Sequence, residues 1–347
     1  MNAPKCAAGD YLDCLVASPG AVSGTEAARA QPARADPPAP DAFTRLLHRL
    51  DPDPAARGAE AARGAEAAPL GQRDRGVLVL DDSTLDKPHA RRIGLVTRHW
   101  SGTHKRVVRG INLLTLLWTD GDRLVPVDDR LYDKATAKAT AKATDGLTKN
   151  DHFRAMLATA RARGFRPACV AFDRWYASLE NLKAVRAAGW RWLTRPKGNR
   201  LVNPDGAGNR PLAACAIAET GTRVRLQGYG VVQVFRLGSP DGATEDWATS
   251  DLALDERRRR QDAEWAWGIE EDHRGRKQHC GAARAQVRAA RAQRRHIGCA
   301  IRAFLRLEWH RQATGTSWWE AKAGIVREAV RTYLAAPRYT LPPPATA

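Results

Sequence analysis

From Gly76 onward the chain alternates apolar runs with turn signals. GVLVLD (76–81) is an unbroken apolar run ending in an acid, as expected of a central strand covered on both faces. IGLVT (93–97), KRVVRGINLLTLLWTDG (105–121) and RLVPVDDRLYD (123–133) follow as further strands. Asp120-Gly121 between the last two predicts an antiparallel hairpin. In NDHFRAMLATARARG (150–164), Phe153, Met156, Leu157 and Ala160 recur at helical spacing, with Gly164 as the C-terminal stop. PACVAFD (167–173) reads as a buried strand, ASLENLKAVRAAG (177–189) as a helix and WRWLTR (190–195) as a third buried strand. This order predicts an α/β fold with one mixed sheet flanked by helices.

The flanking segments follow other patterns. Residues 1–76 hold one amphipathic stretch, DAFTRLLHRL (41–50), with Asp41 as N-cap and Phe43, Leu46, Leu47 and Leu50 on one face. Around it lie QPARADPPAP (31–40) and the near-repeat AARGAEAARGAEAA (55–68), too poor in large apolar residues to build a core. This region is expected to be a helical, partly low-complexity module with a possible role in binding DNA ends. ATAKATAKATDG (135–146) is a polar insert in the first part of the α/β region, 77–195. Residues 196–255 carry short alternating runs, TRVRLQGYG, VVQVFRLG and EDWATSDLAL, and predict a small β insertion. A helical region, 256–310, follows with a break near Gly281, and Ile297, Ile301, Phe304 and Leu305 share one face of its second part. Residues 311–347 are expected to form a C-terminal helix and a Pro-rich tail.

Composition narrows the partners. Lys and Arg number 56 against 38 Asp and Glu, a net charge of +18, and the sequence pI is near 10.2. Such an excess favours a polyanion. The chain has neither an apolar run long enough to span a bilayer nor a basic amphipathic anchor, so nucleic acid is expected rather than membrane. Six cysteines without a C-x-x-C pair, and no signal peptide, point to a reduced cytoplasmic setting. His279-Cys280 lacks a second ligand pair at zinc-finger spacing.

Three acids carry the candidate chemistry. Asp82 and Asp173 sit where apolar strands give out, which is where ligands bind in α/β sheets. In WAWGIEEDHRGRKQHC (265–280), read as one helix, Glu270, Arg274 and Lys277 fall on one stripe. Converging carboxylates repel unless they hold cations, and oxygen-only ligands suit two Mg²⁺ or Mn²⁺ ions of the kind used for displacement at phosphorus. Successive side chains alternate along a strand, so Asp81 is the alternative to Asp82, as Glu271 is to Glu270.

With VLVLDDSTLDKP, AFDRWYASLENL and IEEDHRGRKQHCG in this order around a β insertion, the chain resembles the DDE transposases of bacterial insertion sequences, of the Tyr-Arg-Glu-Lys type. The likeness runs from about Gly76 to His310. It implies an RNase H-like fold, metal ligands Asp82, Asp173 and Glu270, and contact of Lys277 with transposon-end DNA. Ala263 and Ala266 stand where the motif's Tyr and Arg belong, residues linked in the family to handling the cleaved end. The implied activity is metal-dependent cleavage at element ends followed by strand transfer into target DNA, by a homodimer assembled on double-stranded DNA. A nuclease without strand transfer and a non-catalytic DNA-binding remnant are the alternatives. Lys105, Arg106, Arg195, Lys197, Arg200, Arg274, Arg276 and the arginines of 288–295 are candidates for phosphate contacts. Trp100 and Trp175 are candidates for base stacking or for packing.

Overall fold

A computed structural model describes residues 4–20, 23–33, 35–50, 76–102, 104–133, 146–238 and 244–337. The near-repeat at 55–68, most of the polar insert at 135–146 and the Pro-rich end of the tail lie outside them. The chain divides into two compact units, one built from Met1–Asp51, Gly275–Val287 and Arg291–Ala347, the other from Pro52–Arg274 and Arg288–Ala290. The linear division read from the sequence differs from this, because the N-terminal helices and the C-terminal helices belong to one unit.

The second unit holds the sheet. Its strands are β1 (Val77–Asp86), β2 (Thr97–Ser101), β3 (Arg106–Thr119), β4 (Leu124–Tyr132), β5 (Cys169–Phe172) and β6 (Trp192–Thr194). They are followed by β7 (Leu201–Asn203), β8 (Arg210–Pro211), β9 (Thr222–Leu226), β10 (Gly230–Gly238) and β11 (Thr244–Thr249). The order is β2-β3-β1-β5-β6-β11-β10-β9-β7-β8, with β4 on the other part of β3. β1 is antiparallel to β3 and parallel to β5, and β5 is parallel to β6. The core order β4-β3-β1-β5-β6 is the mixed RNase H-like sheet, and the expected β insertion extends that same sheet through the β6–β11 pairing.

Two details depart from the sequence reading. IGLVT is not a strand, and β2 begins only at its last residue. β1 does not end at the aspartates: Ser83, Thr84 and Leu85 remain paired with Leu113, Asn112 and Ile111 of β3 through Asp86. The apolar run stops at Leu80, but the β-branched Thr84 and buried Leu85 keep the strand going.

Alternation along β1 separates two faces. Leu78 and Leu80, with Leu114 and Leu116 of β3, join a core under α4 (Lys149–Ala162) and α5 (Leu179–Ala187), against Phe153, Met156, Leu157, Leu182 and Val185. α4 starts on a Thr148/Asp151 capping box, and α5 on the Ser178 hydroxyl, which accepts from the Asn181 N–H. The opposite face carries α6 (Glu256–Ala266), capped by Asp255. The hairpin turn before β4 fixes its approach: Gly121 has φ +94°, and a Cβ there would lie 2.2 Å from the Trp265 indole nitrogen. The helix expected from Trp265 to Cys280 is two helices, because α6 ends at Ala266 and α7 (Gly268–Gln278) begins after Trp267. A Cβ on Gly268 would meet the end of the Leu124 side chain at 2.8 Å, so a larger residue there would require Leu124 to shift.

The other unit is helical: α1 (Ala8–Ala17), α2 (Gly24–Arg29), α3 (Pro40–Arg49), α8 (Ala290–Thr314) and α9 (Trp318–Ala335), with the end of α7. α3 starts on Pro40 with Ala39 as N-cap, so Asp41 lies in the first turn rather than at the cap. Buried polar side chains join distant segments. The Tyr11 hydroxyl and the His296 ring are 2.8 Å apart, and the other His296 nitrogen is 3.0 Å from the Gly281 carbonyl. Lys322 donates to the carbonyls of Leu15, Val16 and His279 at 3.1, 2.7 and 2.7 Å. None of the six cysteines is in a disulfide. No described helix is long and apolar enough to cross a membrane.

Candidate active site

The parallel register of β1 with β5 sets the geometry. Leu80 pairs with Phe172, the last residue of β5, so one step further Asp81 stands beside Asp173 on the neighbouring strand. Both have odd numbers in register with Val79 and Ala171, and side chains two apart share a face. That face looks into a cleft of about 320 Å³ lined by Val79, Asp81, Ala171, Asp173, Arg195 and Trp247, with Ala263, Ala266, Trp267 and Glu270 on the helical side. Glu270 lies in the first turn of α7, where a carboxylate is favoured by the helix dipole. Ala263 and Ala266 replace the larger Tyr and Arg of the motif, and here their small side chains belong to the cleft wall.

Asp82 occupies the other face. Its carboxylate accepts from Lys149 Nζ at 2.8 Å, Asn112 Nδ2 at 2.6 Å and the Tyr176 hydroxyl at 2.9 Å. Alternation dictates this, since Leu78 and Leu80 on the same face already point toward α4, the helix that carries Lys149. The acid named first from the sequence is therefore enclosed by donors, and its alternative, Asp81, lines the cleft with Asp173 and Glu270.

The electrostatics follow the same division. Burial pushes the Asp81 carboxyl well above the ordinary carboxylate range, and the charges of Asp82, Asp173 and Glu270 push in the same direction. Burial also raises Asp173, assisted by the Asp82 charge, although the Trp175 and Tyr176 N–H groups partly offset it. Asp82 is lowered: burial alone would raise it, but Lys149, Asn112 and Tyr176 outweigh that effect. Burial and the Asp82 charge hold the Tyr176 hydroxyl well above its usual pKa.

Carboxylates raised by burial, with neighbouring negative charge adding to it, are the donor chemistry that a hard divalent cation satisfies. Among the described residues, no group of three or more His, Cys, Asp and Glu side chains is gathered closely enough to hold an ion by itself. The fit therefore lies in the oxygen-only donor set and its surplus negative charge, not in a closed cage.

The remaining predicted residues divide by exposure. Lys105 and Arg106 lie at the exposed β2–β3 connection, beside Trp100, and Trp175 is exposed next to Asp173. Lys197 and Arg200, with Arg174 and Trp175, edge a second, largely apolar cavity of about 760 Å³ beside β6. The Arg195 guanidinium is paired with Glu245 at 2.6 Å and lies 4.6 Å from the Trp247 ring centroid. Arg274 is exposed and Lys277 half-buried. Arg276 is a correction: it is 1 % exposed, so it offers no surface to DNA. Its place one residue before Lys277 turns it roughly 100° off the stripe and into the protein. Lys149, Asn112 and Tyr176 were missed. The only sequence signal for them was Lys149 after the Thr148 cap, and nothing local ties it to a strand 67 residues away.

A profile described as DDE superfamily endonuclease matches residues 5–216, which includes both aspartates and stops short of Glu270. Among solved structures, the chain is similar to piggyBac transposase in a synaptic complex with hairpin DNA, at 12% identity and a TM-score of 0.49, covering 98% of this chain and 76% of that one. It is also similar to the Drosophila P element transposase in a strand transfer complex, at 10% identity and a TM-score of 0.24, covering 49% and 40% of the two chains. No curated protein matches. Because the profile spans more than half of its 347 residues, the chain belongs to the DDE superfamily of endonucleases.

Proposed function

We propose that this chain is a DNA transposase that cleaves at the ends of an insertion sequence and transfers the freed strand into target DNA, with Asp81, Asp173 and Glu270 as its acidic site. The observation that carries this reading is the placement of Asp81 beside Asp173 on parallel neighbours, facing the cleft that Glu270 also lines. Asp81, Asp173 and Glu270 would hold Mg²⁺ or Mn²⁺. Divalent ions there supply charge neutralisation for the phosphodiester and a more acidic water.

The chain's own residues do the rest. β1 carries Asp81, and Asp173 follows directly on the end of β5, so a cation between them would relieve the burial and neighbouring charge that raise both carboxyls. Ala263 and Ala266 keep the helical wall low, leaving room for a sugar-phosphate backbone against Glu270. Asp82, saturated by three donors, anchors Lys149 and Tyr176 to β1 and keeps a competing carboxylate out of the cleft. Lys105, Arg106, Arg174, Lys197 and Arg274 are the exposed or cavity-edge cations available to position DNA.

The test is a strand-transfer assay with a pre-cleaved end bearing a 3′-hydroxyl and a supercoiled target, with Mg²⁺. Joined product is expected from the wild-type chain and none from Asp173→Asn. Cleavage without joining would reduce the function to that of a nuclease, and metal-independent joining would remove the acidic site from the chemistry.

A further inference from the structure

The second cavity, of about 760 Å³, lies within the sheet-bearing unit, between α5 and the β insertion. Its inner wall is hydrophobic core: Leu182 of α5, Trp192 of β6, Leu212, Leu226 of β9, and Val232 and Val234 of β10 are all buried. Close-packed interiors leave few voids larger than a water molecule, and this volume falls in the roughly 300–1,000 Å³ range of small-molecule sites. Ala248 of β11 helps to make the space, since it presents a single methyl between its cross-strand neighbours Val234 and Thr194. The polar groups of the inner wall are engaged by the protein itself. The Thr194 hydroxyl donates to the Phe172 carbonyl at 2.7 Å, and the Trp192 indole N–H to the Tyr229 hydroxyl at 2.9 Å. The Ser178 hydroxyl accepts from the Asn181 N–H that it caps. The mouth has the opposite character. Arg174, Lys197 and Arg200 border it, and among the described residues no Asp or Glu lines the cavity. Arg200 is half-buried there, and burial lowers its pKa with no neighbouring carboxylate to offset the effect.

We infer that this cavity binds a small molecule with a hydrocarbon body and a carboxylate head, the body against Trp192, Leu212 and Val234 and the head on the Arg200 guanidinium. A cation held partly out of water without an acid beside it costs stability, and a ligand anion supplies the missing partner. The guanidinium suits a carboxylate in particular, because its planar fork can donate two parallel N–H bonds to the two oxygens. Lys197, exposed at the same rim, adds a second positive charge. The apolar depth argues against a nucleotide base as the occupant. A base carries donors and acceptors around its edge, and a wall whose hydroxyls and indole N–H are already engaged would leave them unpaired. Asn199 and Gln227, the other polar side chains of the lining, are exposed at the rim and do not change this.

The inference does not rest on the proposed catalysis, and the binding is measured without DNA. Titration calorimetry of the full chain with decanoate, below its micelle concentration, should give one saturable site with a dissociation constant on the order of 10 µM, an affinity within reach of a ligand of this size. Decanol, the same chain without the charge, should bind at least about tenfold more weakly, as expected for the loss of a charge-assisted hydrogen bond. Arg200→Met should weaken decanoate to the level of decanol and should melt no lower than the wild type, because the half-buried charge it removes has no acid to pair with. Ala248→Leu fills the cavity and should weaken decanoate at least about tenfold with an unchanged circular dichroism spectrum. Should Ala248→Leu fail to fold, the comparison of Arg200→Met with the wild type decides alone. Absence of a saturable decanoate site, equal affinity for acid and alcohol, or normal decanoate binding by Arg200→Met overturns the inference. A single-stranded oligonucleotide whose affinity falls with Ala248→Leu also overturns it, by putting a base in the cavity.

Discussion

Asp81 and Asp82 are chain neighbours whose carboxyls are shifted in opposite directions, and the sign of each shift predicts how it affects stability. The Asp82 pKa lies below its ordinary value, so its ionisation contributes stability above the ordinary carboxylate range, and that contribution is lost as pH falls through the lowered value. Asp81 and Asp173 are the reverse. Their raised values mean that ionising them opposes folding, and this penalty disappears as pH falls through those values. Asp81→Asn should therefore raise the melting temperature of metal-free protein at neutral pH by a few degrees, roughly 1 kcal/mol or more at this chain length. The gain should shrink as pH falls through the raised value, where the wild-type carboxyl takes up its proton. Added Mg²⁺ should stabilise the wild type and not the variant. Thermal denaturation in chelator and in Mg²⁺ across the pH range reads all three effects, and a destabilised Asp81→Asn at neutral pH would contradict the repulsion described.

At the scale of elements, the buried strands and most helices were legible because their apolar periodicity is local. β3–β6, β9 and β10, with α4, α5 and α8, follow the runs and stops written in the sequence, and β1 follows its run but not its stop. α1 was not legible: Tyr11, Leu12 and Leu15 are too few to declare a helix, and the Tyr11 partner is His296, 285 residues away. The acids that line the cleft were half legible. Asp173 and Glu270 stand in the cleft, but the choice between Asp81 and Asp82 depends on the register of β1 against β5, which a single sequence does not contain. The break between α6 and α7 also escaped, because Trp265-Ala266-Trp267 continues the helical pattern across it. The break leaves Glu270 in the first turn of α7, and Glu271 is turned about 100° away from it. Glu270→Gln should reduce Mg²⁺-dependent cleavage at least about a hundredfold, as expected for a metal-ligand change, whereas Glu271→Gln should stay within about twofold. The reverse order in a single-turnover assay would shift the phase of α7 and move the acid to Glu271.

For the whole molecule, the charge balance and the acidic cleft do different work. On the proposed function, a net charge of +18 would supply affinity for DNA that depends on salt and little on sequence. The cleft, where carboxyls are crowded and buried, is the local exception in a basic protein, and on the same proposal it would confine chemistry to one point along the bound backbone. Binding and cleavage should therefore separate on mutation, since removing one carboxylate leaves the cationic surface unchanged. The direct comparison is cleavage of end DNA with Mg²⁺ by Asp81→Asn and Asp82→Asn, below the melting temperature of both and with binding measured alongside. Asp82→Asn weakens its bond to Lys149 and should lose roughly 1–3 kcal/mol of stability, less than a fully buried pair would, yet keep cleavage within about tenfold of wild type, a barrier change near 1.4 kcal/mol. Asp81→Asn should bind DNA as the wild type does and cleave at least about a hundredfold more slowly. If Asp81→Asn cleaves normally while Asp82→Asn is inactive though folded, the acidic site lies on the Lys149 face of the sheet, and the assignment of the cleft is wrong.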